Sequence, residues 1–273
     1  MVNKVLLIGG NIIQYYMAKS LQERGFAIFY YDLYFPEKLI GVKEIQQTQE
    51  LCDLMSGSDC VAVFAEAENS VWIESRQEEE DTPFENKTDM SCLFWKPGKG
   101  IKWQLRETVA EAALVEAKLL SGKTVNGSKA LVIGFGIYAE GIALLLRAWN
   151  ASVVVVPDDE MEQRLADYRE YDTCDRKRLA DFLEASGEKR QEQLDFVFQC
   201  SSRSQLRAKH ICCLQPDTVL LNLTQDDSAV DMEYARFLQL QTKHCRNLLT
   251  EYAPAVTGRL LAEALLQDLR KIE

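Results

Sequence analysis

The sequence predicts an α/β protein with two Rossmann-like lobes, each built on a parallel sheet, of which the C-terminal lobe is of the dinucleotide-binding type. Three observations support this prediction. Short, continuous apolar runs alternate with amphipathic helical segments, as expected for parallel strands that are buried on both faces. A glycine-rich turn follows one such run at residues 134–139. The chain has 273 residues, which is enough for two lobes that each bury a core.

The first lobe is predicted over residues 1–103. It opens on the apolar run Lys4–Ile8, which leads directly into Gly9-Gly10 and then into a helical pattern. Between Glu66 and Trp103 the regular pattern breaks down around an acidic run at 74–81, which is expected to be a solvated loop at the lobe boundary. The predicted elements are strands at 4–8, 26–31 and 60–64 and helices at 12–24 and 44–55.

A helix-favouring, alanine-rich segment at residues 104–121 is predicted to connect the lobes and to end at Gly122. The second lobe, an NAD(P)-binding Rossmann domain, is predicted over residues 122–252. Its strands and helices alternate along the chain, which is typical of a parallel sheet. The predicted strands lie at 128–133, 152–156, 196–198, 218–223 and 243–249, and the helices at 142–149, from 160 onward, and at 175–184, 204–214 and 232–240.

The turn Gly134-Phe135-Gly136-Ile137-Tyr138-Ala139 carries the cofactor prediction. Gly134 permits a tight turn, Gly136 lets backbone N–H groups approach a pyrophosphate, and Ala139 allows close packing of the helix on the strand. The positive end of the helix dipole then faces the anion. A glycine turn with this spacing is weak evidence alone, but here a strand, a helix and a second strand flank it in the required order.

The end of the strand after this turn is the place of the residue that selects the ribose. An acidic side chain there accepts a hydrogen bond from the 2′-hydroxyl of NAD, whereas a basic one binds the 2′-phosphate of NADP. Asp158 occupies this place beside Asp159 and Glu160, and the three carboxylates would repel a further phosphate. NAD is therefore favoured over NADP. The alternative is that Asp158 or Asp159 only caps the following helix.

Two further residues are candidates by position. Ser201 and Thr224 follow later strands of the second lobe, whose carboxyl ends meet the same crevice, so contact with a nicotinamide or a substrate is expected. A serine pair such as Ser201-Ser202 is also typical of a turn or a helix cap. No catalytic acid or base is assigned, because His210 falls in a predicted helix and His244 in a late strand.

Composition excludes several functional classes. The formal net charge of -11 disfavours binding to nucleic acid, because a polyanion would be repelled. No apolar stretch reaches the roughly 18 to 20 residues of a membrane span and no signal peptide opens the chain, so a cytoplasmic protein without membrane contact is expected. The eight cysteines form no CxxC pair and there are only two histidines, so no metal site is expected.

Several short motifs follow one another over nearly the whole chain. They are Ile8-Gly9-Gly10, Thr108–Glu111, Leu131–Gly136, Asp195–Phe198, Val230–Ala235 and Ala253–Gly258. In this order they resemble the motifs of the dipicolinate synthase A-chain family, whose layout is similar to that of D-2-hydroxyacid dehydrogenases. The resemblance implies that residues 253–273 form a C-terminal helix that packs back toward the N-terminal lobe.

The resemblance implies an NAD(P)-dependent oxidoreductase of sporulation that oxidises a dihydrodipicolinate-type intermediate together with a flavoprotein-like B subunit. The segment Thr224–Asp231 departs from the family pattern, because a lysine and glycines are replaced there. These groups are suited to binding a dicarboxylate. The alternative is therefore a noncatalytic Rossmann-fold protein that binds a nucleotide or a partner and has lost the family activity. The apolar content of the chain leaves room for a homodimer, which we expect.

Overall fold

The structure is a computed structural model that describes residues 2–33, 41–64, 84–85, 91–98, 100–188, 193–203 and 205–272. The chain divides into two compact units. The first unit contains the described residues up to Leu105 together with 249–272, and the second contains 106–248. The acidic run at 74–81, predicted to be a solvated loop, lies outside the described residues.

The elements of both units are named in chain order. The chain starts with β1 (Lys4–Ile8), α1 (Ile12–Gln22), β2 (Ala27–Tyr31), β3 (Lys43–Glu44), α2 (Thr48–Met55), β4 (Cys60–Phe64), β5 (Phe84–Glu85), β6 (Leu93–Trp95) and α3 (Gly100–Ser121). It continues with β7 (Lys129–Ile133), α4 (Ile137–Ala148), β8 (Ser152–Val156), α5 (Glu160–Tyr168), β9 (Asp172–Thr173), α6 (Leu179–Glu188), β10 (Phe196–Gln199), α7 (Ala208–Ile211), β11 (Val219–Asn222), α8 (Met232–Phe237), β12 (Gln241–His244), α9 (Leu248–Tyr252) and α10 (Pro254–Ile272).

The sheet of the second unit is parallel throughout and has the order β9-β8-β7-β10-β11-β12. Numbered within the unit, this is 3-2-1-4-5-6, the order of dinucleotide-binding Rossmann domains. The direction of strand addition reverses between β7 and β10. Open α/β sheets bind their ligands at the carboxyl ends of the strands at such a reversal. The predicted fold class is confirmed for this unit.

The sheet of the first unit has the order β3-β2-β1-β4-β6-β5. Its strands pair in parallel except for the last pair, β5 and β6, which is antiparallel. The apolar run of β1 accounts for its central position, since Val5, Leu6 and Leu7 are fully buried. The two-lobed, largely parallel α/β architecture predicted from the sequence is thus present in both units.

Some predicted boundaries are wrong. The strand predicted at Lys243–Leu249 ends at His244, and Leu248 begins helix α9 instead. Both Leu248 and Leu249 are buried from this helix, so their apolar character reflects core packing and not a strand. The helix predicted at 204–214 is reduced to the single turn of α7. Strands β3, β5, β6 and β9 were not predicted, because each has only two or three residues and leaves no readable pattern.

Helix α10 packs against α1 within the first unit at backbone contact. A Cβ atom at position 258 would lie 2.5 Å from the carbonyl oxygen of Ile13 and 2.7 Å from the amide nitrogen of Met17, so only glycine fits there. The buried indole of Trp95 donates a hydrogen bond of 3.0 Å to the carboxylate of Asp268 on α10. Within the described part of the chain, no helix is both long and apolar enough to cross a bilayer.

Replacing Gly258 with alanine is expected to reduce the free energy of unfolding by about 1 to 3 kcal/mol, because the new methyl group must push two backbones apart. Urea unfolding followed by circular dichroism measures this change. Gly100→Ala is the matched control, since no described atom lies within 4 Å of a Cβ there, and it should stay within about 0.5 kcal/mol of the parent. Equal effects of the two substitutions would contradict the packing of α10 on α1.

Candidate functional site

The glycine turn after β7 contacts the ends of two neighbouring strands, β8 and β10. At the end of β8, the carbonyl of Val156 accepts a hydrogen bond of 2.8 Å from the amide of Gly134. Gly134 has a φ of +83°, and a Cβ atom at this position would lie 2.8 Å from the Cβ of Ser201. Position 134 therefore requires glycine for two reasons, a left-handed backbone and a close approach.

Helix α4 begins immediately after this turn, and no described side chain caps its N-terminus. Gly136 is the N-cap residue and provides no side-chain acceptor for the amides of the first turn. These amides belong to Ile137, Tyr138 and Ala139, and the side chain of Ala139 is buried. Free helical amides combined with the positive end of the dipole form an anion-binding site.

A buried ion cluster holds the first turn of α4 in position. The carboxylate of Glu140, 1% exposed, accepts hydrogen bonds from Arg106 at 3.3 Å and from Arg169 at 3.0 Å. Gly141 makes room for this arrangement, because a Cβ there would lie 2.6 Å from the Cγ of Arg106. A carboxylate held between two guanidinium groups has its charge compensated and its position set. The start of α4 is therefore rigidly placed.

Glu162, on the first turn of α5, reaches across to the glycine turn. Its Oε2 atom accepts a hydrogen bond of 2.7 Å from the amide of Phe135 and one of 2.8 Å from the amide of Asp158. Its Oε1 atom lies 3.9 Å from where a Cβ of residue 136 would be. A half-buried carboxylate thus lies at the junction of the glycine turn and the end of β8.

Burial raises the pKa of Glu162, and the charges of Asp158 and Asp159 act in the same direction, while the two backbone hydrogen bonds lower it. The pKa of the neighbouring Cys200 thiol is also raised, chiefly by burial, with the charges of Glu162 and Asp158 adding to the effect. The Cys200 thiol therefore lacks the thiolate character of a nucleophile.

The two aspartates after β8 have different partners. Asp159 is the N-cap of α5, accepting from the amides of Met161 and Glu162, and it also pairs with Arg203 at 3.0 Å. Asp158 is not a cap. Its carboxylate accepts a short hydrogen bond from the hydroxyl of Ser201, which in turn accepts from the amide of Arg203. The sequence left open whether Asp158 or Asp159 caps this helix. The residue that caps it is Asp159.

A small, mostly apolar cavity of about 60 Å³ lies beside the start of α4. Ligand sites usually have about 300 to 1,000 Å³, so this cavity can hold only part of a ligand. The hydroxyl of Tyr138 is buried and has no hydrogen-bond partner among the described residues, and burial raises the pKa of this phenol. Such an orphaned group is rare in folded proteins and is a natural contact for a ligand. The lining residues are Val109, Gly136, Ile137, Tyr138, Ala139, Ile142, Cys200, Leu223 and Leu248.

Thr224 lies at the end of β11 and is fully buried. Its hydroxyl bonds to the side chain of Asn222 at 2.9 Å and to the carbonyl of Asp226, so it fixes the loop after the strand. The ring of His244 is also committed to this loop. Its Nε2 lies 2.7 Å from the carbonyl of Thr224 and its Nδ1 lies 3.2 Å from Asp227. Both ring nitrogens of His244 therefore have partners within this loop.

The structure brings together most of the residues predicted for the site. The ends of the strands at the switch point bring together residues 134–139, Asp158 and Ser201. Thr224 lies instead in the loop after β11, two strands from β7, and bonds within that loop. Sequence reasoning missed Glu162, although its spacing from Asp159 is that of an N-cap and a third-position glutamate. The described residues contain no group of three or more histidine, cysteine, aspartate or glutamate side chains placed to bind a metal ion.

Solved structures with the same fold cover essentially the whole chain. The A chain of dipicolinate synthase from Bacillus halodurans matches with a TM-score of 0.69 and 15% identity over 97% of each chain. The A chain from Bacillus subtilis matches with a TM-score of 0.71 and 15% identity, covering 100% of this chain and 97% of that one. D-lactate dehydrogenase from Escherichia coli has a TM-score of 0.58 and 11% identity over 99% and 98%. No protein-family model and no curated protein matches the sequence.

Alanine at position 134 is expected to destabilise the second unit more than alanine at position 127. Both glycines have a positive φ, but a Cβ at 127 would meet no described atom within 4 Å. Gly127→Ala should therefore cost about 1 to 2 kcal/mol for the backbone alone. Gly134→Ala should cost about 1 to 3 kcal/mol more because of Ser201. Urea unfolding of both variants gives the difference, and equal costs would contradict the close approach of the two strand ends.

Proposed function

We propose that this protein is a divergent NAD(P)-dependent oxidoreductase that resembles the A chain of dipicolinate synthase. The observation that carries the proposal is the uncapped N-terminus of α4 at the switch point of a parallel sheet with the order 3-2-1-4-5-6. A diphosphate is the ligand that best suits such a position. The full-length similarity in fold to the two dipicolinate synthase structures supports this kinship.

The residues present fit a dinucleotide in three respects. The amides of Ile137 and Tyr138 are available for a diphosphate. Gly136 has room in front of it, since the nearest described atom to a Cβ there is a side-chain oxygen at 3.9 Å. Tyr138, whose buried hydroxyl has no hydrogen-bond partner among the described residues, lines the mostly apolar cavity beside this helix start. When bound, a nicotinamide supplies hydride chemistry, while the protein binds and orients.

NAD is proposed in preference to NADP. Asp158, Asp159 and Glu162 crowd the edge where the ribose of the adenosine half would bind. Arg203 is a cation at this edge, and it is paired with Asp159. A dianionic 2′-phosphate would add charge to a cluster of carboxylates, which disfavours its binding.

The proposed substrate is a dihydrodipicolinate-type cyclic dicarboxylate, whose oxidation transfers a hydride to the cofactor and releases a proton. The support is the similarity in fold along the whole chain.

A second candidate function is a noncatalytic nucleotide-binding or partner-binding protein. It is favoured by the loop at 224–231, which carries aspartates and no lysine or arginine that would bind a dicarboxylate. Cooperation with a flavoprotein-like B subunit, location in the cytoplasm and a role in sporulation remain predictions.

Binding of NADH is expected to be micromolar, and binding of NADPH about tenfold weaker, because the 2′-phosphate meets an acidic edge. Titration followed by nicotinamide fluorescence measures both affinities. Gly136→Asp should abolish binding by placing a carboxylate beside the diphosphate, although its Cβ has room. Gly100→Asp adds the same charge at an open position and should bind normally. If the parent protein bound neither NADH nor NADPH, a noncatalytic partner-binding protein would replace this proposal.

A homodimer is also proposed. Helix α3 exposes 41% of Val115 and 70% of Leu119 on neighbouring turns, and Trp149 is 42% exposed. Large apolar side chains on one helix face are typical of a contact surface. Light scattering coupled to size-exclusion chromatography is expected to give twice the chain mass of 31.1 kDa, and Leu119→Glu should lower it to one chain. A single 31.1 kDa species of the parent protein would rule the dimer out.

A further inference from the structure

We propose that Glu162, and not Asp158, is the residue that recognises the adenosine ribose. In this arrangement its carboxylate accepts hydrogen bonds from the free hydroxyls of the sugar and excludes a ribose that carries a 2′-phosphate. The inference rests on the proposed function and adds to it a residue that determines specificity.

The two oxygens of Glu162 have different surroundings. Oε2 is held by the amides of Phe135 and Asp158, at 2.7 and 2.8 Å, so the carboxylate is fixed in place. Oε1 lies on the side of Gly136, 3.9 Å from the position of a Cβ. A carboxylate oxygen can accept two hydrogen bonds. Oε1 is therefore a pre-positioned acceptor that faces the open side of the glycine turn.

Helix capping does not account for this geometry. In a capping box, the glutamate at the third helical position bonds to the backbone amide of its own N-cap residue. Glu162 has the right spacing from Asp159 but bonds instead to Asp158 and to Phe135, which is 27 residues away. Asp159 already satisfies two amides of the helix start. The carboxylate of Glu162 therefore belongs to the glycine turn and not to its helix.

Asp158 is directed elsewhere. Its Oδ2 atom accepts a hydrogen bond from the hydroxyl of Ser201, which connects the end of β8 to the end of β10. Its backbone amide, in contrast, is one of the two donors that hold Glu162. Asp158 thus acts on the ribose edge through its main chain. The carboxylate expected directly after the strand is therefore provided by Glu162, one helical turn further along the chain.

The chemistry of the ligand decides what this site accepts. A ribose with both hydroxyls free offers O–H donors, which suit a carboxylate oxygen that can accept further hydrogen bonds. A phosphate monoester offers only acceptors and negative charge. In addition, the amides of Phe135 and Asp158 that would otherwise attract a phosphate are already bonded to Glu162. The carboxylate of Glu162 therefore disfavours a 2′-phosphate in two ways. Its negative charge repels the phosphate, and it already occupies the two amide donors that could bind one.

The test compares the affinities for NADH and NADPH in four proteins. Glu162→Gln keeps the size of the side chain and removes its charge. We expect NADH to bind about tenfold more weakly and the preference for NADH over NADPH to fall to about threefold or less. Glu160→Gln is the matched control, because Glu160 is exposed on the same helix turn, and its preference should equal that of the parent. Asp158→Asn tests the competing assignment and should lower the preference less than Glu162→Gln does, because it removes one charge from the acidic edge but leaves the acceptor of Glu162 in place.

Each outcome decides the matter. A larger loss of preference in Glu162→Gln than in Asp158→Asn supports the inference. An equal or larger loss in Asp158→Asn overturns it while leaving the dinucleotide site intact, as does a parent protein that prefers NADPH. A parent that binds neither nucleotide overturns the proposed function and this inference with it. If Glu162→Gln unfolds, Glu162→Asp retains the charge but withdraws it from the turn, and an unchanged preference in that variant would also overturn the inference.

Discussion

The end of β7 and the end of β10 approach each other so closely that residue 134 has no space for a side chain. This constraint determines the rest of the site. It brings Ser201 next to the glycine turn, and Ser201 in turn bonds to the carboxylate of Asp158 at the end of β8. Three strand ends are therefore tied together around one turn, and no described side chain caps the amides at the start of α4. A rigid turn with unsatisfied amides suits an anionic ligand.

Electrostatics then restrict which anion fits. The amides of α4 would attract a diphosphate, but the adjoining edge carries Asp158, Asp159 and Glu162. A ligand that is negative at its centre and rich in hydroxyl donors beside it satisfies both conditions. A dinucleotide with a free ribose has this pattern, which is why we propose an NAD-like molecule in preference to one with a third phosphate.

The sequence alone was sufficient for the parts of the fold that depend on burial. The strands at Lys4–Ile8 and 129–133 are continuous apolar runs because both faces of a central parallel strand are covered, and this leaves a clear pattern. Edge strands of two residues leave none. The assignment of Asp158 followed from its place after a strand, but which carboxylate reaches the turn depends on how the backbone leaves β8. Asp159 and Glu162 have the spacing of a capping box, and only the tertiary structure shows that Glu162 bonds to Phe135 instead.

The most direct measurement is a titration of ¹⁵N-labelled protein with NADH, followed by the amide chemical shifts in transverse-relaxation-optimised spectra. If the glycine turn binds the dinucleotide, the largest shifts will occur at the amides of Gly136, Ile137 and Tyr138, with smaller ones at Phe135 and Asp158 where Glu162 is bonded. Shifts confined to residues outside this turn, or the absence of any shift at saturating NADH, would contradict the assignment of a cofactor site to the start of α4.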